Sequence, residues 1–433
     1  PVNALGLAFD GLALAREFGT PLHVVDRDAL LRNARSLRQA FLKGYEPAEV
    51  YVSFKTNPVP QVLKLLHGEG IGAEVVSPFE LWLAGQLGIP AGEIVVNGPG
   101  KRPELIDRCA ALGVRLLNID SPREVAALER AAAVHGRELR VGCRVRPTEG
   151  WKNQFGLEPE QVLQAAAELR KSSRLRFEAL QVQVGSNLAG AEPYLQAVKH
   201  LAELAARLRR EAGVTLTTLD LGGGFGVPSV QRLTRWEAAY RFLLPGEAPR
   251  FMRTPPVRSI HSVAEAIGAA IRQEFGARAL ALPTLLVEPG RALLGEAQTL
   301  LLEVLDVKEF SGISYAITTS GPSTGTRPLG GERHELCLVG EQRPRRRRYT
   351  LTGPLCTPSD VLVEGLELPE LKPGDVLAIG STGAYFLSYE SAWAFPRAAV
   401  VMVGEGQPAR LIRRHESFEE MVARDLPAPE PSA

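Results

Sequence analysis

Short apolar runs alternate with stretches in which apolar residues recur at spacings of three and four, over about 240 residues, the pattern of strands alternating with helices. The β-like runs are Glu49 to Asn57, Gly72 to Ser77, Glu93 to Gly98, Val114 to Ser121, Leu139 to Pro147, Leu180 to Ser186, Thr217 to Gly224 and Pro283 to Gly290. Eight is the count that closes a parallel barrel, with an open doubly wound sheet as the alternative. The segments between them are Ala/Leu/Glu/Arg-rich crossover helices. One of them spans Ser121 to Leu128, with Ser as its N-cap and Pro at the first helical position. The interval Phe225 to Leu282 exceeds one crossover and predicts an insertion with its own helices.

After Arg291 the pattern changes to β-like runs separated by turns: Gln298 to Val307, Tyr315 to Thr319, His334 to Val339, Arg348 to Thr352, Asp375 to Ile379 and Ala398 to Val403. These predict a second, mostly antiparallel β domain, to which the run Pro21 to Val25 adds an N-terminal strand. The expected division is a (β/α)8 barrel over 29–290 and a discontinuous β domain over 1–28 and 291–433, with a disordered Pro-rich tail after about residue 425.

Composition narrows the function. Lys plus Arg at 50 against Asp plus Glu at 49 gives a net charge of +1, so no global field recruits nucleic acid or an anionic membrane. The run Arg343 to Arg348 is basic, but it lies between two expected strands and has no aromatic platform, so it reads as a solvated hairpin. Cys109, Cys143, Cys337 and Cys356 have no metal-ligand spacing and no disulfide-framework pattern, which points to a reducing compartment and no metal. No apolar stretch is long enough to span a membrane, and Pro1-Val2-Asn3 shows no basic stretch followed by an apolar segment. The expectation is a cytoplasmic enzyme acting on small molecules.

The expected carboxyl ends of the strands carry Lys55, Ser77, Asn97, Asp120, Arg144, Gln183 with Ser186, Gly222 to Gly224, and Glu288 with Arg291. In a barrel these ends converge on one mouth. Lys55 is either a solvated strand-terminal charge or a desolvated amine able to form a Schiff base. Gly222, Gly223 and Gly224 offer backbone N–H groups to a phosphate, with Ser186, Gly290 and Arg291 beside them. Glu288 ends an apolar strand, where a carboxylate needs a cationic partner; a protonated pyridine nitrogen is one. Lysine, glycines and glutamate together outline pyridoxal 5'-phosphate. Arg144 is placed to orient the ring or an acidic neighbour such as Glu74, or equally to form a structural ion pair. Read by itself, Cys356 is a buried structural thiol.

Eight stretches, in order, resemble the fold type III pyridoxal-phosphate decarboxylases of diaminopimelate, ornithine and arginine, which share the alanine-racemase-like barrel. They are Tyr51 to Asn57, Gly72 to Glu80, Gln154 to Leu157, Val184 to Ser186, Gly222 to Gly224, Glu288 to Arg291, Gly353 to Asp360 and Gly383 to Tyr385. The resemblance implies that Lys55 bonds the cofactor aldehyde, and that Glu288 faces the pyridine nitrogen. It places Ser186, the glycine loop, Arg291 and Tyr385 around the phosphate. It implies a homodimer in which Cys356 and Asp360 reach the neighbouring subunit's site, Cys356 as a proton donor, with Arg327 holding a substrate carboxylate.

The departures from that family touch the cofactor ring at one position and otherwise concern the substrate. Gln183 stands where the family has a histidine stacked on the cofactor ring. The family's Cys-Glu-Ser-Gly-Asp is Cys356-Thr357-Pro358-Ser359-Asp360, without the acid that reads the distal end of diaminopimelate; Arg327 keeps its place, but the tyrosine that follows it in the family is absent. The expected activity is decarboxylation of an amino acid other than plain meso-diaminopimelate. The alternatives are an amino-acid racemase and a non-catalytic cofactor-binding relative.

Overall fold

The computed structural model describes residues 5–147, 154–232, 256–324, 332–340 and 343–426. The chain divides into two units: Ala29–Pro228 with Pro255–Gly295, and Pro1–Asp28 with Ser229–Thr254 and Glu296–Ala433.

The first unit is a closed barrel of eight strands. In chain order these are β2 (Ala48–Ser53), β3 (Gly72–Val75), β4 (Ile94–Val96), β5 (Leu116–Ile119), β6 (Leu139–Val145), β7 (Leu175–Val182), β8 (Thr218–Asp220) and β10 (Thr284–Val287). Every pairing around the ring is parallel, and β10 closes it by pairing with both β8 and β2. All eight expected runs are strands of this barrel. β7 starts at Leu175, five residues before Leu180, because the charged Lys171-Ser172-Ser173-Arg174 turn obscures its start in the sequence. The expected helix at Ser121 begins at Glu124 instead. Ser121 is taken up by a preceding turn, where its Oγ accepts the Arg123 N–H and its carbonyl the Glu124 N–H.

Inward-facing residues recur every second position along a strand, and here they form layers. Tyr51, Val95, Leu116, Ala179 and Leu286 pack into one apolar cluster. Two residues further along, the same faces of the strands carry Ser53, Asn97, Asn118 and Glu288. A hydrophobic plug thus closes the barrel directly beneath a polar layer.

The second unit holds a nine-stranded sheet. Its strand β1 (Leu22–Asp26) pairs antiparallel with β11 (Gln298–Phe310) and parallel with β18 (Ala399–Gly404), so an N-terminal strand lies inside a C-terminal sheet. β12 (Ile313–Thr318) and β15 (Arg346–Thr352) are the other parallel pair in a mostly antiparallel arrangement. The run His334 to Val339 divides into β13 (Glu332–His334) and β14 (Leu336–Leu338), and β13 pairs with β9 (Val230–Arg232). Three strands went unpredicted: the short β9, β16 (Val361–Pro369), interrupted by left-handed Gly365, and β19 (Gln407–Arg413), a polar edge.

The arginine run is not a solvated hairpin. Arg346, Arg347 and Arg348 begin β15, and Arg343 grips Asp375 with two bonds of 2.7 Å, while Arg346 and Arg347 pair with Glu367 and Glu309. Of the insertion expected between Phe225 and Leu282, residues 233–255 lie outside the described residues, as do Arg327 and the tail from 427. Among the described residues, no helix is long and apolar enough to cross a membrane, and no cluster of His, Cys, Asp or Glu could hold a metal.

Candidate active site

Lys55 sits in the single 3-10 turn, Phe54–Thr56, that follows β2. Its side chain is half exposed, and Nζ donates to Ser53 Oγ and to Glu74 Oε2, each at 2.7 Å. Burial alone would raise the Glu74 carboxyl; the Lys55 ammonium and the hydrogen bonds from Lys55, Ser53 and Asn97 outweigh it and hold the group below the usual carboxylate range. Glu74 is therefore the acidic partner of Lys55 and not of Arg144. Arg144 lies beside Asp120 at 3.8 Å, with its guanidinium 4.7 Å from the centre of the Phe155 ring.

From Glu74 a chain of buried side chains crosses the barrel. Asn97 donates to Glu74 at 3.1 Å and to Glu288 at 2.6 Å, while Asn118 donates to Asn97 at 2.9 Å and to Asp220 at 3.4 Å. Asp220 and Glu288 are hydrogen-bonded to each other and fully buried. Burial, with the neighbouring carboxylates, pushes Glu288 well above its ordinary range, and burial pushes Asp220 up to about 7. Glu80, buried behind Lys55, is likewise pushed up to about 7 by burial, opposed by the Val76 N–H that its Oε2 accepts at 2.7 Å.

Beside this layer the loops after β7, β8 and β10 meet. Gly222 and Gly223 are required by space: a Cβ on Gly222 would run into Gln183, and one on Gly223 into the Glu288 carbonyl oxygen. Their N–H groups are not open donors, contrary to the expectation. Gly222 N–H is bound by Asp220 Oδ1 and Gly223 N–H by Gln183 Oε1, both at 2.9 Å. Gly224 has φ +94, and its carbonyl accepts the Leu188 N–H, tying the loop to the segment that carries Ser186. A Cβ on Gly290 would collide with Thr56, and the adjacent Arg291 is buried. Ser77 caps the helix Pro78–Gln86 through the Glu80 N–H.

Gln183 is engaged with the backbone on both sides, since its Nε2 also donates to Gly185 O at 2.7 Å. The residues missed from sequence are Asn118, Asp220 and Glu80. Period two would have found Asn118, two positions beyond inward-facing Leu116.

In the other unit, Cys356 is exposed, which removes the reading of it as a buried thiol. Its loop is organised by Asp360, which is buried and accepts the Ser323 N–H at 2.9 Å and the Leu355 N–H at 3.0 Å. Both Asp360 oxygens thus bind backbone of their own unit. Tyr385 has φ +74, a left-handed conformation that a tyrosine adopts only when its surroundings impose it.

These residues suit pyridoxal phosphate: an accessible lysine amine, a loop whose backbone approaches too closely for any Cβ, and a buried carboxyl pair that burial raises above the ordinary range. Comparisons with known proteins agree. The profile of the pyridoxal-dependent decarboxylase family's pyridoxal binding domain matches residues 28–295. A diaminopimelate decarboxylase of Methanothermobacter thermautotrophicus is 30% identical over 97% of this chain and 95% of its own. The L-glutamyl-[BtrI acyl-carrier protein] decarboxylase of Niallia circulans is 27% identical over 94% and 92%. The structure of diaminopimelate decarboxylase from M. jannaschii with L-lysine superposes with a TM-score of 0.86 at 26% identity, covering 97% of this chain and 95% of that one. The polar layer at the barrel mouth and this full-length likeness have one reading: the chain belongs to the pyridoxal-dependent decarboxylase family and is a carboxy-lyase acting on an amino acid with pyridoxal phosphate as cofactor.

Proposed function

We propose that Lys55 is the residue that bonds the cofactor, and that the amino acid decarboxylated is not meso-diaminopimelate but one whose distal end is neutral, enlarged or joined to a larger group. The observation that carries the assignment of Lys55 is its Nζ, 2.7 Å from both Ser53 and a Glu74 carboxylate held ionised, at the rim of a water-excluding layer. When bound, pyridoxal phosphate supplies a conjugated ring that takes up the electron pair left as the carboxyl group departs. The protein's part is to hold charges and protons in place. Glu74 and Ser53 accept hydrogen bonds from Lys55 Nζ and so fix the amine at the rim of the polar layer. Glu288 is assigned to the ring nitrogen, and Ser186, Gly224 N–H, Arg291 and Tyr385 to the phosphate.

Cys356 is assigned the return of a proton to the substrate carbon in the partner's site, so the working form is a homodimer, and we place it in the cytoplasm. Arg327 is assigned a substrate carboxylate. The substrate reading rests on the segment after Cys356. Thr357 offers a hydroxyl, paired with Ser359 Oγ at 3.3 Å, where an acid would be needed to pair a distal ammonium. The Niallia relative, named for an amino acid carried on a protein, supports a substrate of this kind.

The test is carbon dioxide release from the holoenzyme with meso-diaminopimelate, lysine, ornithine, arginine and L-glutamyl-pantetheine thioester. Release from the thioester at least about tenfold faster (kcat/KM) than from the free diamino acids is expected. Efficient turnover of meso-diaminopimelate overturns the substrate reading, and racemisation without carbon dioxide release overturns the decarboxylase reading. A Lys55→Ala chain that still bonds the cofactor covalently overturns the assignment of Lys55.

A further inference from the structure

The polar layer contains one more acid than the cofactor needs. Asp220, at the end of β8, is hydrogen-bonded to Glu288 beyond β10, and both are fully buried. Two carboxyl groups form a hydrogen bond only when a proton lies between them; two carboxylates at that separation repel. Three of the four oxygens of the pair also accept a hydrogen bond from a neighbouring N–H group. Asp220 Oδ1 accepts the Gly222 N–H and Oδ2 the Asn118 amide, while Glu288 Oε1 accepts the Asn97 amide.

We propose that Asp220 and Glu288 share one proton, and that Asp220 is a positioning residue that keeps Glu288 charged with that proton until the cofactor's ring nitrogen docks against it. The inference rests on the reading of Glu288 as the partner of that nitrogen. The charged groups facing the pair are Glu74 on β3 and Lys55 after β2; they are ion-paired to each other, so much of their field on the pair cancels. Asn97 and Asn118, from β4 and β5, are neutral donors. As the nitrogen arrives, the Glu288 O–H bond breaks and an N–H bond forms. The resulting cation faces the Glu288 carboxylate, and Asp220 retains its two donors, Gly222 N–H and Asn118. No other reactant is needed.

Asp220 also joins this acid pair to the phosphate loop. The carboxyl that borders Glu288 is the one that fixes the Gly222 N–H, and a Cβ on the next glycine would strike the Glu288 carbonyl. One side chain therefore coordinates the ring-nitrogen end of the site with the phosphate end.

The experiment is isotope-edited infrared spectroscopy of the full-length protein freed of cofactor and labelled at its glutamate carboxyls. The protonated-acid band is followed with pH, and the Glu288 part is taken as what Glu288→Gln removes. In the unsubstituted protein that part should persist at pH 7, and in Asp220→Asn its midpoint should fall by about one pH unit or more. A midpoint unmoved by Asp220→Asn, or no band removed by Glu288→Gln, overturns the shared proton. Fluorescence titration with pyridoxal phosphate separates the two readings. Glu288→Gln should weaken cofactor binding at least about tenfold and shift the absorbance of the bound cofactor. If the infrared result holds while binding and absorbance stay unchanged, the shared proton stands and the cofactor assignment of Glu288 falls.

Discussion

Glu80 shows how a single side chain records the electrostatics of the site. Its carboxyl is raised from the ordinary value to about 7, first by burial and then by Glu74. A raised carboxyl means that the folded state holds more protons than the unfolded chain between about pH 4.5 and 7. Its contribution to stability is therefore full below pH 4.5 and is lost as the pH rises to 7. Glu80→Gln keeps an acceptor for the Val76 N–H and removes the titration. The stability of the variant relative to the unsubstituted protein should rise by up to about 3 kcal/mol between pH 4.5 and pH 8, measured by urea unfolding. Parallel pH profiles for the two proteins would dismiss the assignment. At this scale Lys55 and Glu288 were legible from sequence because a charge ending an apolar strand is conspicuous. Asp220 was not, since Asp before a glycine run looks like ordinary turn chemistry. The partner of Arg144 was left open because sequence gives strand ends without the order in which they face across the barrel: Glu74, one candidate, has Lys55 as its near neighbour, and Arg144 lies beside Asp120.

The loops that follow the strands show the difference between a motif and its geometry. The glycine run after β8 was expected to expose donors; instead Asp220 and Gln183 bind the first two N–H groups. The glycines are there because the β8 loop lies against β10 and the β7 loop without room for side chains. Gly223 tests this cleanly, because its backbone is not left-handed and only the space is at issue. Gly223→Ala should force the loop away from the Glu288 carbonyl, destabilise the barrel by about 1–3 kcal/mol and weaken pyridoxal phosphate binding at least tenfold, on the order of one such clash. A fluorescence titration that finds unchanged affinity would return the glycines to a donor role. All eight barrel strands were legible because both of their faces are apolar for most of their length. β16 was not: its residues are half-buried and a left-handed Gly365 divides the run. The arginines of β15 hid the start of that strand for a related reason, since their charge suggested a loop while their partners Glu367 and Glu309 lie far away in sequence.

At the scale of the whole molecule, the two units contribute different chemistry. The barrel unit carries Lys55 and the buried acids, and the sheet unit carries exposed Cys356 on a loop fixed by Asp360. If Cys356 serves the partner's site, each active site takes its lysine from one chain and its thiol from the other. Two-fold symmetry makes the consequence countable. A Lys55→Ala chain and a Cys356→Ala chain, each nearly inactive as a homodimer, mix at random into dimers of which about half are mixed. In every mixed dimer one site receives both defects and the other receives neither, so the 1:1 mixture should recover about a quarter of the unsubstituted activity. Recovery should follow subunit exchange and be absent when the chains are kept apart, with carbon dioxide release as the measurement. If Lys55 and Cys356 of one chain served the same site, every site in the mixture would carry one defect. Mixing would then recover nothing beyond the average of the two variants.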